Sequence, residues 1–330
     1  LFLQAGWMTV QLTKQKSELC RILQDGLEIV PEPFNAIAAR LGISEQRVLD
    51  WTKELQENGV IRRISAVINY RALGRIATLA AAKVGEGKLE SVVSAVNNLA
   101  GVSHNYLREH PVNLWFTLQA DSEVEIAQTL QRLSQTHDIE VFNLPMKRFF
   151  KLHVRFGGSG NSEKEADSAT PASEIVELND YEKKLIRRLQ GNNEIVPRPF
   201  DKLADTPGEC ESTIKSIRNL MDKGVIRRIG AVVDHRKMGF TANVMFVCYA
   251  PCEKVSRLGQ GLADLEQVSH CYERHTQPGW DYNIFAMMHA KDIADINRAV
   301  DEFVSRFSVE RYELLPTIAE LKKRPVRQSL

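Results

Sequence analysis

The residues best suited to chemistry in this chain are histidines, arginines and tyrosines that recur at matched spacing in two places. Read as a strand, VSHCYERH (268–275) alternates, setting His270, Tyr272 and Arg274 on one face and Ser269, Cys271 and Glu273 on the other. VSHNYLRE (102–109) repeats that face with His104, Tyr106 and Arg108. A proton donor, an aromatic wall and an anion anchor on one face describe a ligand cavity. The plainer alternative is a satisfied histidine beside a solvent-facing edge.

A second stretch is also written twice. GVIRRISAVINYRALG (59–74) and GVIRRIGAVVDHRKMG (224–239) agree at ten of sixteen positions at an offset of 165, half the length of the 330-residue chain. EIVPEPF (28–34) returns as EIVPRPF (194–200), and FNLP (142–145) is answered by ELLP (313–316). A period this long means a tandem duplication. The arginine pairs Arg62–Arg63 and Arg227–Arg228 sit in strands, so each pair addresses both faces. Their guanidinium forks suit carboxylates, although a structural ion pair would recur just as well. His235 and Lys237 in the second copy stand where the first has Tyr70 and Ala72. The second half therefore carries more titratable groups and is the expected site if only one copy works. His137, His153 and His289 read as structural.

These residues need elements to position them. Helices are expected over 14–24, 34–40 and 44–58, the last capped by Ser44, followed by a β-branched ribbon: a winged helix-turn-helix. Residues 75–144 then read β-α-β-β-α-β, with the last strand at 139–144, which is the ferredoxin-like pattern. The second half repeats the series, with helices at 180–190, 200–205 and 209–223. The expected fold class is α+β. The expected domains are 8–65 and 179–230 (winged helices), 66–155 and 231–325 (ferredoxin-like), with a flexible Gly/Ser/acidic linker at 156–178. Met8 is a candidate initiator.

Composition narrows the classes. Net charge is +1, with none of the basic excess that nucleic acid or anionic membrane asks for. The would-be reading helix at 44–58 holds Arg47 and Lys53 against Glu45, Asp50, Glu54 and Glu57; at 209–223 the charges cancel. DNA binding is disfavoured, because duplex affinity comes mainly from phosphate neutralisation. No apolar run reaches the roughly 18 residues of a membrane span. Five cysteines without a CxxC pair read as reduced thiols, and the expected location is cytoplasmic. No phosphate loop, HExxH, GxSxG or zinc-type spacing occurs.

A winged helix joined to a ferredoxin-like domain resembles the Lrp/AsnC regulators. GVIRRIGAVVDHRKMGFTAN (224–243), VSHCYER (268–274) and Trp280-Asp-Tyr282-Asn283 resemble, more specifically, the siroheme decarboxylases, which occur as two related subunits or one fused chain. The first half departs from that pattern, with NYRA (69–72) for DHRK and HNYLR (104–108) for HCYER. The resemblance implies non-oxidative loss of CO2 from the C12 and C18 acetates of siroheme, on the way to heme d1 or heme b. It implies no cofactor and no metal of the protein's own, because the substrate carries its iron. His235 and His270 are then the expected proton donors, with either one alternatively an axial ligand to that iron. Arg227, Arg228, Lys237, Tyr272, Arg274, His104, Arg62 and Arg63 are the expected substrate contacts. The partners implied are siroheme and other enzymes of heme biosynthesis, with the halves pairing inside one chain or the chain forming a homodimer. An Lrp/AsnC-type regulator sensing heme or an amino acid, and a tetrapyrrole carrier without turnover, are the alternatives.

Overall fold

The computed structural model describes residues 10–152, 175–204 and 210–323; the expected initiator, His153 and residues 156–174 of the expected linker lie outside them. The chain forms two compact units, and each takes one segment from each half: 10–74 with 175–239, and 75–152 with 240–323. The expected domain limits at 65/66 and 230/231 fall inside strands, because each wing strand runs on to the next turn.

In the helical unit, α1 (Lys14–Asp25), α2 (Pro33–Leu41) and α3 (Glu45–Glu57) precede β1 (Ile61–Ile68). Their starts are written in the sequence. Thr13 and Ser44 accept the first-turn amides of Lys16 and Arg47, and Pro33 opens α2. In the second half the expected helix at 200–205 is a 3-10 turn (Pro199–Leu203), between α6 (Asp180–Leu189) and α7 (Cys210–Asp222). Asn179 and Glu182 close a capping box on α6.

The strand after α7, β6 (Ile226–Val233), pairs antiparallel with β1, so each wing satisfies its edge with the other copy's wing. The interlock continues outward: Leu27 N–H donates to Ile229 O at 2.6 Å, and Asn193 N–H donates to Ile64 O at 2.8 Å. Gly230 is needed here, since a Cβ would lie 2.5 Å from Leu23 O.

The second unit is a closed eight-stranded barrel. Its first half contributes β2 (Ile76–Lys83), β3 (Val102–Arg108), β4 (Leu114–Ala120) and β5 (Glu140–Leu152), with α4 (Leu89–Asn98) and α5 (Glu123–His137). Its second half contributes β7 (Ala242–Cys248), β8 (Val268–Arg274), β9 (Ile284–Ala290) and β10 (Tyr312–Lys323), with α8 (Val255–Ala263) and α9 (Ile293–Phe307). The order is β10-β3-β4-β2-β5-β8-β9-β7. β5 continues well past the expected end at 144. Up to Pro145 it pairs with β2 of its own half, and from Met146 it pairs with β8 of the other. β10 does the same between β7 and β3. This exchange closes the barrel and leaves no open edge.

Strand alternation then sorts the side chains. One face of each half packs under its two helices, with Val102, Phe116 and Ile126 in the first and Phe246, Cys271 and Phe303 in the second. The other faces meet inside the barrel, where Trp115, Phe142 and Leu144 of the first half pack with Met245, Trp280, Phe285 and Leu315 of the second.

Candidate active site

The two His-x-Tyr-x-Arg faces point into the barrel. Tyr106 lies opposite Trp115 and Tyr272 opposite Phe285, both members of the interior cluster. In each copy the imidazole and phenol are stacked, with centroids 6.3 Å apart for His104–Tyr106 and 6.1 Å for His270–Tyr272. The guanidinium then sits over the phenol, at 5.6 Å for Arg108 and 5.0 Å for Arg274. Both histidines and both tyrosines are half-buried.

Simple alternation places Ser103 and Ser269 on the opposite face, but a register shift in each strand brings the hydroxyl back to the ring. Ser269 Oγ lies 3.0 Å from His270 Nδ1 and donates to Met287 O at 3.2 Å. With its one proton committed to a carbonyl, the hydroxyl accepts from Nδ1–H. In the neutral ring this contact puts the proton on Nδ1. In the first copy Ser103 Oγ contacts His104 Nδ1 (2.8 Å) and Thr117 Oγ1 (2.7 Å), and two hydroxyls do not impose one tautomer.

The barrel arginines hold the seams between halves. Arg274 Nη1 donates to Leu144 O at 2.8 Å, and Arg108 Nη1 donates to Leu315 O at 3.0 Å and Thr317 Oγ1 at 2.9 Å. Arg108 is 3% exposed, and no carboxylate among the described residues pairs with it. Burial pulls its guanidinium down to about 10, which leaves it charged at neutral pH.

The expected residues 62–63, 227–228, 235 and 237 belong to the helical unit. Irregularities in the β1–β6 register skip Arg62 and Arg227, so neither follows the expected alternation. Arg62 Nη2 is turned onto Asp234 Oδ2 at 2.8 Å, whose other oxygen accepts the Arg236 amide at 3.1 Å. At the equivalent place Arg227 Nη2 donates to the neutral Asn69 Oδ1, at 3.4 Å. Arg63 Nε donates to Ser65 Oγ at 3.1 Å, and burial followed by the charge of Arg62 lowers its pKa. Arg228 packs its Cβ over Gly26. His235 is buried, 3% exposed, in the turn that Asp234 holds. Lys237 Nζ donates to Asn58 O at 2.7 Å, capping the C-terminus of α3, so its expected anchoring role meets a structural use.

One group was absent from the sequence-derived site residues although its segment was noted. Trp280 is 3% exposed and sits edge-on to Trp115 (5.1 Å), Tyr282 (5.3 Å) and His110 (5.6 Å). Beside it Glu313 bridges His110 Nε2 (2.6 Å) and the Tyr282 hydroxyl (2.7 Å). Burial, with Glu313 reinforcing it, pushes the Tyr282 phenol up to about 12. Among the described residues no three His, Cys, Asp or Glu side chains are grouped to hold a metal, and no helix is long and apolar enough to cross a membrane.

Comparison with known proteins gives two family matches. The AsnC-like ligand binding domain matches residues 72–151 and 237–322, and the siroheme decarboxylase NirDL-like HTH domain matches residues 16–62. A siroheme decarboxylase of Hydrogenobacter thermophilus is 34% identical over 309 residues, covering 93% of this chain and 92% of that one. The siroheme decarboxylase alpha subunit of Desulfovibrio desulfuricans is 40% identical over 139 residues, covering 42% of this chain and 80% of its own. The crystal structure of the siroheme decarboxylase NirDL in complex with an iron-uroporphyrin III analogue superposes with a TM-score of 0.70 at 30% identity, over 95% of this chain and 94% of that one.

Proposed function

This chain belongs to the siroheme decarboxylase family in its fused, single-chain form, and on that premise we propose that it removes CO2 from the C12 and C18 acetates of siroheme, leaving methyl groups. The family activity is that of a carboxy-lyase, and the halves pair as two subunits would. Each decarboxylation breaks the bond between the acetate methylene and its carboxylate. The bonding electrons stay on the methylene carbon, and a proton must arrive there. Nothing is oxidised, so the reading requires no redox cofactor, and the iron enters with the substrate.

His270 and His235 are the proposed proton donors. An imidazole can pass a proton to a carbanion and recover one from water, which is worth about 10²–10⁴-fold in general-acid catalysis. The Ser269 contact supports this role for His270, because it fixes the orientation of the ring on the inner wall of the barrel. Ligation of the substrate iron is the other use of the same ring. Tyr272 offers aromatic surface to the macrocycle, and His104 is the corresponding contact on the first-half ladder. Arg63, Arg227, Arg228 and Arg274 are the proposed carboxylate contacts, with weaker cases for Arg62 and Lys237, which already serve Asp234 and Asn58.

The observation that carries the reading is the His270–Tyr272–Arg274 face, half-buried on the inner wall of a barrel that is related along its whole length to siroheme decarboxylases. A DNA-binding regulator fits less well. Both wing strands are spent on each other, and Arg47 of the acidic α3 lies 5.5 Å over the Trp51 ring. The test is single-turnover kinetics of His270→Ala and His235→Ala with siroheme. A loss of about 10²-fold or more with binding retained supports proton donation. Unchanged rates in both variants would overturn the assignment.

A further inference from the structure

The duplicated barrel offers two ladders, and their surroundings differ at one pseudo-equivalent position. Counting from the shared prolines, Phe149 stands four residues after Pro145 and Glu320 four residues after Pro316. Phe149 lies directly opposite Tyr272, and Glu320 directly opposite Tyr106. The second-half ladder is thus flanked by Phe149 on one side and by Phe285 and Met287 on the other. The first-half ladder faces Glu320, whose carboxylate lies 3.6 Å from Lys323, the residue opposite His104.

We infer that the chain takes one tetrapyrrole, on the Tyr272 ladder, and that Phe149 admits it there while Glu320 excludes it from the matching place at Tyr106. This rests on the proposed function and names the position that decides which copy works. A macrocycle face is flat and apolar. Laid on Tyr272 it meets an aromatic neighbour already half-buried, and the area it covers is apolar. Laid on Tyr106 it would press an apolar face onto the Glu320 carboxylate and remove the little water that still reaches it, which is unfavourable for a charge. Phe149 belongs to the first half and Tyr272 to the second, so the slot exists only because β5 crosses onto β8.

The test is titration of the full chain with iron uroporphyrin III, followed by the Soret band, together with circular dichroism of each variant. The wild type is expected to bind one equivalent. Phe149→Glu should weaken binding at least about tenfold, the equivalent of ~1.4 kcal/mol, while Phe149→Leu keeps it within about threefold. Glu320→Phe should leave the first equivalent unchanged or add a second, a prediction that does not depend on the Phe149 variants folding. Two equal equivalents in the wild type, tight binding by folded Phe149→Glu, or a tenfold loss in Glu320→Phe would overturn the assignment. No binding by the wild type would overturn the tetrapyrrole reading itself.

Discussion

Replacing Asp234 tests how the turn that carries His235 is held, and the chain supplies its own control. Asp234 is 6% exposed; one oxygen takes the Arg62 guanidinium at 2.8 Å and the other takes the Arg236 amide at 3.1 Å. Hydrogen bonds to charged groups contribute about 1.5–3 kcal/mol, and stranding one partner of a buried pair costs about 3–5 kcal/mol. The Arg62 side chain keeps 26% of its surface in water, which moderates that figure. Asp234→Ala leaves both donors without this acceptor, so we expect it to cost ~3 kcal/mol. Asp234→Asn keeps a polar acceptor and loses the charge, reproducing what Asn69 already does for Arg227 at 3.4 Å; we expect about 1 kcal/mol. With a urea slope of ~3 kcal/mol/M, the midpoint falls by about 1 M for alanine and about 0.3 M for asparagine, the slope staying constant. Equal midpoint losses for the two variants, or none for alanine, would refute the reasoning.

Three further outcomes follow from the same contacts. The raised Tyr282 phenol means that the unfolded chain loses this proton near pH 10 while the folded chain keeps it to about 12, so the stability it lends is complete below pH 10 and is lost between those values. Absorbance titration of wild type minus Tyr282→Phe should therefore show the missing tyrosinate step near pH 12; a step near 10 would contradict the burial. Of five cysteines, Cys252 alone is exposed, and burial raises the thiols of Cys20 and Cys248 to about 12 and raises that of Cys271 as well. One thiol should react quickly with an aromatic disulfide in the native protein, with the others following only on unfolding; more than one fast thiol would contradict the packing. Finally, the β1–β6 pairing and acidic α3 predict no saturable duplex binding at low salt by fluorescence anisotropy, and salt-sensitive binding would revive the regulator reading.

Much of this was legible in the residues. Period-2 alternation put His104, Tyr106 and Arg108 on one face and His270, Tyr272 and Arg274 on its copy, and Ser44 and Asn58–Gly59 marked the ends of α3 correctly. Illegible were the contacts that join the halves. Nothing in IRRISAVI says that it pairs with IRRIGAVV, since strand pairing is set by packing between segments more than 150 residues apart. β5 was expected to end at 144, yet it carries on through Pro145, which lacks an amide, because β8 offers a fresh edge. Phe149 was missed for the same reason: its meaning comes from the partner strand. The irregularities at Arg62 and Arg227 were invisible too, because an extra residue in a strand leaves the local pattern intact.

The measurement that bears most directly on the whole account is anaerobic incubation of the chain with siroheme, following the mass of the tetrapyrrole. The account predicts two successive losses of CO2 without added cofactor, both slowed or stopped in His270→Ala. A Soret shift with unchanged mass would contradict it and leave a tetrapyrrole-binding protein without turnover.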